Sequence, residues 1–324
     1  MQPPAELVER FRTDCRALWP ADDRGRLTLA VSGGPDSLAL LLLAQAAFPQ
    51  HVAALTVDHG LRPASASEAA MVAQVCARLG VPHRTLAIEL ASGNLQHAAR
   101  AARYDAMVEA MAEEGQGGAV LATAHHADDQ AETLLMRLNR ASGLAGLAGV
   151  RAARDLASAH GGSARLIRPL LRWRKAELEW VDAACGIAPA RDPSNEDERF
   201  DRVRIRHALA EADWIDPLAL AESAGHLGEA WQAIEAHAAR EFARAVTRDG
   251  AGFRYTPEGI RMTGIEVLRL IYVRLGQSPS RSECAQVYDR LCAGENASLA
   301  GVLARAEEHD DWIFASEPPR ASRA

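Results

Sequence analysis

Hydrophobic positions in the first part of the chain fall into short apolar runs that alternate with longer segments of helical spacing. The short runs have the β-rich character of buried strands, and they are residues 27–31, 52–58, 84–88, 119–123 and 166–170. The helical segments are residues 2–19, 38–46, 67–79, 94–114, 128–140 and 175–185. Strands that alternate with helices predict an α/β fold with a doubly wound parallel sheet.

The alternation stops near residue 213. Helical spacing returns at residues 217–246, 264–275 and 281–291, a small hairpin is predicted at 253–263, and two strands are predicted within 299–316. The pattern therefore divides the chain into a first domain, residues 1–212, and a second, smaller, mainly helical α+β domain, residues 213–324. Residues 153–165 are rich in Ala, Ser, Gly and His, which predicts a surface loop.

Composition narrows the class of protein. The five cysteines form no Cys-X-X-Cys pair, so iron–sulfur, zinc and disulfide frameworks lack support. The formal net charge of −7 argues against a globally basic surface for nucleic acid, although a local basic patch remains compatible with it. There is no signal-peptide pattern and no apolar run long enough for a bilayer, so we expect a cytoplasmic enzyme with no membrane partner.

The strongest chemical signal follows the first predicted strand. It is the string Ser32, Gly33, Gly34, Pro35, Asp36 and Ser37. Glycines allow a sharp turn, and the helix that follows points its free N–H groups and positive dipole end at the same place, as anion sites do. The usual P-loop lysine is missing, and Asp36 suits a metal ion better than a bare phosphate. A capped strand-to-helix turn is the alternative reading.

A second polar cluster, residues 123–133, follows the fourth predicted strand. Asp128, Asp129 and Glu132 share a helix face by their spacing, and two histidines precede them. A divalent cation or an ammonium group would suit this cluster, and a zinc site is the alternative. Asp58 and His59 end the second strand. Because ligands of such sheets lie beyond the carboxyl ends of the strands, we expect all three clusters to meet.

Residues 199–207 form the densest positive stretch of the chain. Arg202, Arg204 and Arg206 alternate with other residues, which fits either an edge strand or a helix end. Clustered guanidinium groups suit phosphate oxygens, and Phe200 could stack on a base. A linker of solvated arginines is the alternative.

Together these strings resemble one family of PP-loop ATP pyrophosphatases, the tRNA(Ile)-lysidine synthetases. The resemblance runs from residue 27 to residue 207. It is carried by residues 32–37, 57–62, 93–96, 99–104, 123–133, 140–147, 168–171 and 192–206. It implies that ATP and free L-lysine are used to convert the wobble cytidine of the CAU anticodon of an isoleucine tRNA to lysidine, through an adenylated base.

The resemblance also implies roles for individual residues. ATP would be bound by Ser32, Gly33, Gly34, Pro35, Asp36, Ser37, Asp58 and His59. Mg²⁺ would be held by Asp36 and Asp129, and the lysine ammonium by Asp129 and Glu132. His125 and Arg103 would stabilise charge at the α-phosphate, and Arg202, Arg204 and Arg206 would bind tRNA. A homodimer is one of the assemblies left open.

The chain departs from the family pattern at two positions. Many family members have glycine where Ala141 stands and an acidic residue where Arg191 stands.

Three rival functions are open at this point. They are a tRNA thiolase, an amidating synthetase that uses ammonia, and a non-catalytic tRNA- or nucleotide-binding relative. A thiolase would carry paired or catalytic cysteines, and an amidating enzyme would need neither the arginine cluster nor a second domain.

Overall fold

A computed structural model describes residues 2–19, 25–58, 60, 65–88, 95–115, 119–158, 160–190, 199–307 and 311–317. The chain divides into two compact units, residues 1–228 and residues 229–324. The predicted boundary at 212/213 precedes this division because the first part of a long helix, Pro217–Ala245, belongs to the first unit.

A six-stranded sheet forms the centre of the first unit, with the order β3-β2-β1-β4-β6-β5. Its strands are β1 (Leu27–Ala30), β2 (Val52–Asp58), β3 (His83–Ala87), β4 (Val120–Ala122), β5 (Ala153–Ala157) and β6 (Ser163–Ile167). Each neighbouring pair is parallel except β5 with β6. The predicted doubly wound sheet is therefore confirmed, with one antiparallel edge strand added.

Helices flank this sheet. They are α1 (Ala5–Leu18), α2 (Pro35–Ala47), α3 (Ser65–Leu79), α4 (Leu95–Glu113), α5 (Ala127–Leu138), α6 (Leu144–Leu147), α7 (Lys175–Ala184), α8 (Asp201–Glu211) and α9 (Pro217–Ala245). α1, α2, α3 and α7 bury one face of the sheet, and α4 covers the other. The uniformly apolar α2 lies in the centre of the first core, where Leu38 to Leu43 are buried all round.

The prediction of a surface loop over residues 153–165 is wrong. β5 and β6 pair antiparallel through this segment. β5 lies at the edge of the sheet and only Leu156 within it is buried, so it lacks the apolar pattern that identifies an inner strand.

The second unit contains a five-stranded antiparallel sheet of order β7-β8-β11-β10-β9, packed with helices. Its elements are β7 (Val246–Asp249), β8 (Gly252–Tyr255), α10 (Arg261–Arg274), α11 (Arg281–Cys292), β9 (Ala297–Leu299), β10 (Val302–Ala306) and β11 (Trp312–Ser316). The hairpin predicted at 253–263 instead joins β7 to β8 at 246–255, and residue 261 already begins a helix.

Among the residues described, no helix combines the length and the apolar character that crossing a membrane requires.

Candidate active site

The turn between β1 and α2 forms the floor of the site. Gly33 has a φ of +91°, and a Cβ there would lie 3.1 Å from the Met71 side chain, so both backbone conformation and space favour glycine. Pro35 begins α2 without needing an N–H donor, and Gly34 supplies no side-chain cap. The first N–H groups of α2 therefore remain available for an anion.

Two serines fix this turn from inside. Ser37 Oγ donates to the Gly34 carbonyl at 2.9 Å and accepts from the Ser32 N–H at 3.2 Å. The Gly33 carbonyl accepts from the Ala190 N–H at 3.0 Å, which ties the turn to the segment after α7. The loop is thus held in place by its own hydrogen bonds before any ligand binds.

A cavity of about 350 Å³ opens above the turn. The predicted site residues on its wall are Ser32, Gly34, Asp36, Ser37, Arg103, His125, Asp129 and Arg202. Thr56, Thr123 and Glu68 also line it. β1 lies between β2 and β4, where the strand order reverses, so the cavity occupies the topological switch point of the sheet.

His126 is the centre of an acidic cluster beside this cavity. Its buried ring lies 3.6 Å from carboxylate oxygens of Asp36, Asp128 and Asp129. Burial lowers the pKa of His126, but hydrogen bonds to Asp128 and Asp36 and the charge of Asp129 raise it more, to about 10. The Asp129 N–H contact to Nδ1 is long, at 3.4 Å, whereas three carboxylate oxygens lie close to the ring, and their charges favour an imidazolium over a neutral ring.

Asp128 faces away from the cavity wall toward α7. It accepts from the Lys175 N–H at 2.8 Å and from Arg174 Nη2 at 3.2 Å. Burial raises the pKa of Asp128, but the bonds from His126, Lys175 and Arg174 lower it well below its usual range. Asp128 therefore remains ionised and anchors the His126 ring.

Glu132 is buried and accepts hydrogen bonds from two arginines. Arg202 Nε donates to its Oε2 at 2.6 Å, and Arg206 Nε donates to its Oε1 at 2.7 Å. Arg202 Nη2 also donates to Asp129 Oδ1 at 2.6 Å. α8 is thereby fastened to α5 by the carboxylates that the sequence assigned to lysine.

The remaining predicted residues lie in different positions. Arg204 is exposed and pairs with Asp201 on its own helix. Asp58 ends β2, where its Oδ1 accepts from the Gly60 N–H at 2.9 Å. The Nδ1 atom of His125 lies 3.0 Å from Thr123 Oγ1. His59 and the string 192–195 fall outside the described residues.

The sequence did not predict the contacts of His126 and Arg174 with the carboxylates, nor the position of Glu68 on the cavity wall. His126 is the N-cap of α5, and its backbone N–H donates to Asp129 Oδ2 at 3.1 Å, across a three-residue spacing that is visible in the sequence. Arg174 reaches Asp128 across 46 positions, and no local pattern identifies such a pair.

Fold and site together define a PP-loop protein that binds ATP. A model of the PP-loop domain family matches residues 7–213. A tRNA(Ile)-lysidine synthase from Novosphingobium aromaticivorans is 44% identical over 318 residues, which cover 97% of this chain and 95% of that protein. The chain therefore belongs to the tRNA(Ile)-lysidine synthase family.

Another relative agrees with this assignment, and a solved structure shares the fold. The tRNA(Ile)-lysidine synthase of Zymomonas mobilis is 41% identical and covers 91% of this chain and 90% of its own. The U34-tRNA thiolase NcsA from Methanococcus maripaludis superposes with a TM-score of 0.54 at 15% identity, over 69% of this chain and 78% of that one. The second likeness concerns the fold alone.

Proposed function

We propose that this chain uses ATP to activate the 2-oxo group of the wobble cytidine, C34, in the CAU anticodon of tRNA(Ile), and then joins free lysine to that carbon. The product, lysidine, pairs with A and changes the codon read from AUG to AUA. Besides family membership, the observation that carries the proposal is the cavity, where the phosphate-binding turn, Asp129 and Arg202 meet.

The turn and the start of α2 suit the triphosphate of ATP. Free N–H groups at the helix start and the Ser32 and Ser37 hydroxyls would bind the pyrophosphate portion. The cytosine oxygen attacks the α-phosphorus, and pyrophosphate leaves with its electron pair. Arg103 and His125, both on the cavity wall, would stabilise the charge that develops at the α-phosphate.

Asp36 fits the Mg²⁺ that accompanies ATP. Its Oδ1 is buried and has no hydrogen-bond partner among the described residues, so a lone pair stands available for a hard cation. Asp129, on the same wall, is the second carboxylate for that ion. Bound there, Mg²⁺ would neutralise phosphate charge.

Asp129 and Glu132 would bind the lysine ammonium. Both carboxylates already accept from Arg202, but each oxygen pair offers about four lone-pair positions, so an ammonium can join them. The amine must lose its proton before it attacks, because its reference pKa is about 10.4. Attack at C2 then expels AMP, and a carboxylate or histidine within hydrogen-bond reach accepts the proton.

The thiol chemistry of a thiolase finds little support. No described cysteine lies on the cavity wall, and four of the five cysteines are buried. Burial raises the pKa of Cys15 and Cys76 to about 12, so both thiols stay protonated and weakly nucleophilic.

The direct test incubates the chain with labelled lysine, ATP and a tRNA(Ile) transcript, followed by nucleoside analysis. We expect labelled lysidine, with AMP and pyrophosphate in equal amounts. Binding of tRNA with no pyrophosphate release would contradict the proposal and favour a non-catalytic relative.

Two variants separate the half-reactions. Asp36→Ala should abolish pyrophosphate release, whereas Asp155→Ala, which removes an exposed carboxylate on β5, should not. Glu132→Gln should retain adenylation and raise the KM for lysine about tenfold to a hundredfold, the usual loss of one hydrogen bond to a charged group. Unchanged lysine kinetics in folded Glu132→Gln would contradict the assignment of this residue.

A further inference from the structure

A second cluster of charged side chains lies in the second unit, far along the chain from the candidate active site. His237 and Glu241 lie four residues apart on α9, so both face the same side of that helix. Glu258 follows β8. One donor atom from each of these three residues lies within 4.8 Å of the other two. Two secondary-structure elements therefore converge on one point.

Glu241 is the unusual member of this cluster, because its side chain is only 1% exposed. Its Oε1 accepts from Tyr255 Oη at 2.5 Å and from the Glu258 N–H at 3.2 Å. Its Oε2 is buried and has no hydrogen-bond partner among the described residues. A buried carboxylate oxygen without a donor is costly, so this atom requires a positively charged or donating group that the described residues do not supply.

Tyr255 shows that Glu241 acts as an acceptor. Burial, and then the hydrogen bond to Glu241, raise the pKa of Tyr255 far above its usual range, so the phenol stays neutral and donates. A hydrogen bond of this kind to a carboxylate is the outer support that metal-binding carboxylates commonly have.

Glu258 has a second partner on its exposed side. Arg244 Nε donates to Glu258 Oε1 at 2.8 Å, and Arg244 Nη2 donates to both oxygens. Because a carboxylate offers about four lone-pair positions, this pair leaves a position on Glu258 for a further bond.

We propose that His237, Glu241 and Glu258 form a zinc site with an open fourth position. One imidazole nitrogen and two carboxylate oxygens are a common donor set for Zn²⁺, whereas Mg²⁺ prefers oxygen ligands in an octahedron. With bonds of about 2.0–2.2 Å, tetrahedral ligand atoms lie about 3.4 Å apart. The three side chains reach that spacing by closing at most about 1.4 Å from their 4.8 Å limit.

The ion would fasten the last turns of α9 to the segment after β8. It would also neutralise the unpartnered oxygen of Glu241, in a part of the fold where Tyr255, on β8, already contacts α9. Its role would be structural, with water in the fourth position, because it joins two segments of the second unit and none of its three ligands lines the cavity above the phosphate-binding turn.

The proposal is tested by calorimetric titration of Zn²⁺ into the full chain, after EDTA has removed any bound metal. We expect a site of one equivalent in the wild-type chain that weakens at least tenfold in His237→Ala and in Glu241→Gln. The matched control is His226→Ala, which removes an exposed histidine from the same helix and should bind as the wild type does. Mg²⁺, titrated in a parallel experiment, should not bind at this site.

Thermal unfolding supplies the second readout, because an ion that binds only the folded state raises the unfolding temperature. Zn²⁺ should raise it in the wild-type chain and in His226→Ala, and not in His237→Ala. Equal zinc binding by the wild-type chain and His237→Ala would overturn the proposal, and so would no binding to the wild-type chain. A folded His237→Ala whose melting temperature still rises with Zn²⁺ would overturn it as well.

Discussion

His126 decides the charge of the candidate active site at the scale of single residues. Three carboxylates surround one buried ring, and protonation of that ring offsets one of their three negative charges. The sequence shows two adjacent histidines, and nothing in it distinguishes the one that contacts the carboxylates from the other. His125 lies on the cavity wall, whereas His126 holds Asp36, Asp128 and Asp129 in place. Which of the two rings is buried depends on how the backbone turns after β4, and the sequence does not show this.

This charge predicts how stability depends on pH. The pKa of His126 is about 10 in the folded chain and about 6.5 in an unfolded one, so its stabilising contribution is complete below pH 6.5 and is lost as pH rises through 10. The full shift sets an upper limit of about 5 kcal/mol. Urea unfolding of wild type and His126→Asn should differ most at pH 6.5 and converge toward pH 10. A difference that is constant with pH would contradict an imidazolium.

Ala141 gives a second prediction at this scale. It has a φ of +50° and follows the end of α5, where the Ser142 N–H donates to the Arg137 carbonyl at 3.0 Å. This is the left-handed position of a helix C-terminus, which favours glycine. We therefore expect Ala141→Gly to raise the free energy of unfolding by about 1 kcal/mol.

Ala208→Gly is the matched control for that variant. Ala208 is an exposed residue inside α8, where glycine should instead lower stability by about 1 kcal/mol. Opposite signs for the two substitutions in urea unfolding would support the backbone argument, and equal signs would contradict it. The departure from the family at position 141 was visible in the sequence, but its backbone cause needed the structure.

At the scale of elements, α8 shows where sequence patterns stop being sufficient. Arginines at positions 202, 204 and 206 fit the two-residue period of a strand as well as a helix end. The helix forms because it places Arg202 and Arg206, one turn apart, on the buried carboxylate of Glu132. That pairing joins residues about 70 positions apart, so no local window contains it.

α7 packs against α2 with a buried carboxyl group, Asp182, between them. Neither of its oxygens has a hydrogen-bond partner among the described residues. Burial, and then the negative charges of Asp36 and Glu179, raise the pKa of Asp182 to about 8. Since the unfolded chain releases this proton near pH 4, the folded state is progressively penalised as pH rises from 4 to 8.

Asp182→Asn removes that penalty. We expect the variant to exceed the wild type in stability at pH 8.5 by roughly 1–3 kcal/mol, because asparagine stays neutral without binding a proton, and by much less at pH 5. Asp155→Asn, which removes an exposed carboxylate on β5 that takes no part in this shift, should change stability little at either pH. A gain for Asp182→Asn that is equal at both pH values would mean that charge is not the cause.

For the whole molecule, the alternation of strands and helices predicted the sheet, its parallel pairing and the edge where the phosphate-binding turn meets the cluster of residues 123–133, whereas Asp58 of the third cluster does not line the cavity. Those features follow from short-range periodicity and from the rule that ligands lie at the carboxyl ends of strands. The antiparallel strand β5, the contacts of His126 and the end of the first unit within α9 did not follow. Each of them depends on what a segment packs against.

Net charge raises a last question at this scale, because a chain of charge −7 must attract a polyanionic tRNA through a local patch. The three arginines assigned to tRNA differ here. Arg202 and Arg206 donate to buried Glu132, whereas the side chain of Arg204 is 64% exposed. We therefore expect Arg204→Ala to weaken tRNA binding and to reduce the slope of log affinity against log salt by about 1, the share of one phosphate contact.

Arg206→Ala and Arg78→Ala complete that experiment. Arg206→Ala should raise the KM for lysine with little change in the salt slope, since its guanidinium holds the Glu132 carboxylate rather than a phosphate. Arg78 is exposed in the last turn of α3, and the parallel βα topology puts that turn at the sheet edge opposite the cavity, so its removal should change neither quantity. If Arg204→Ala retains the wild-type slope while Arg206→Ala reduces it, Arg206 must leave Glu132 when tRNA binds and contact a phosphate instead.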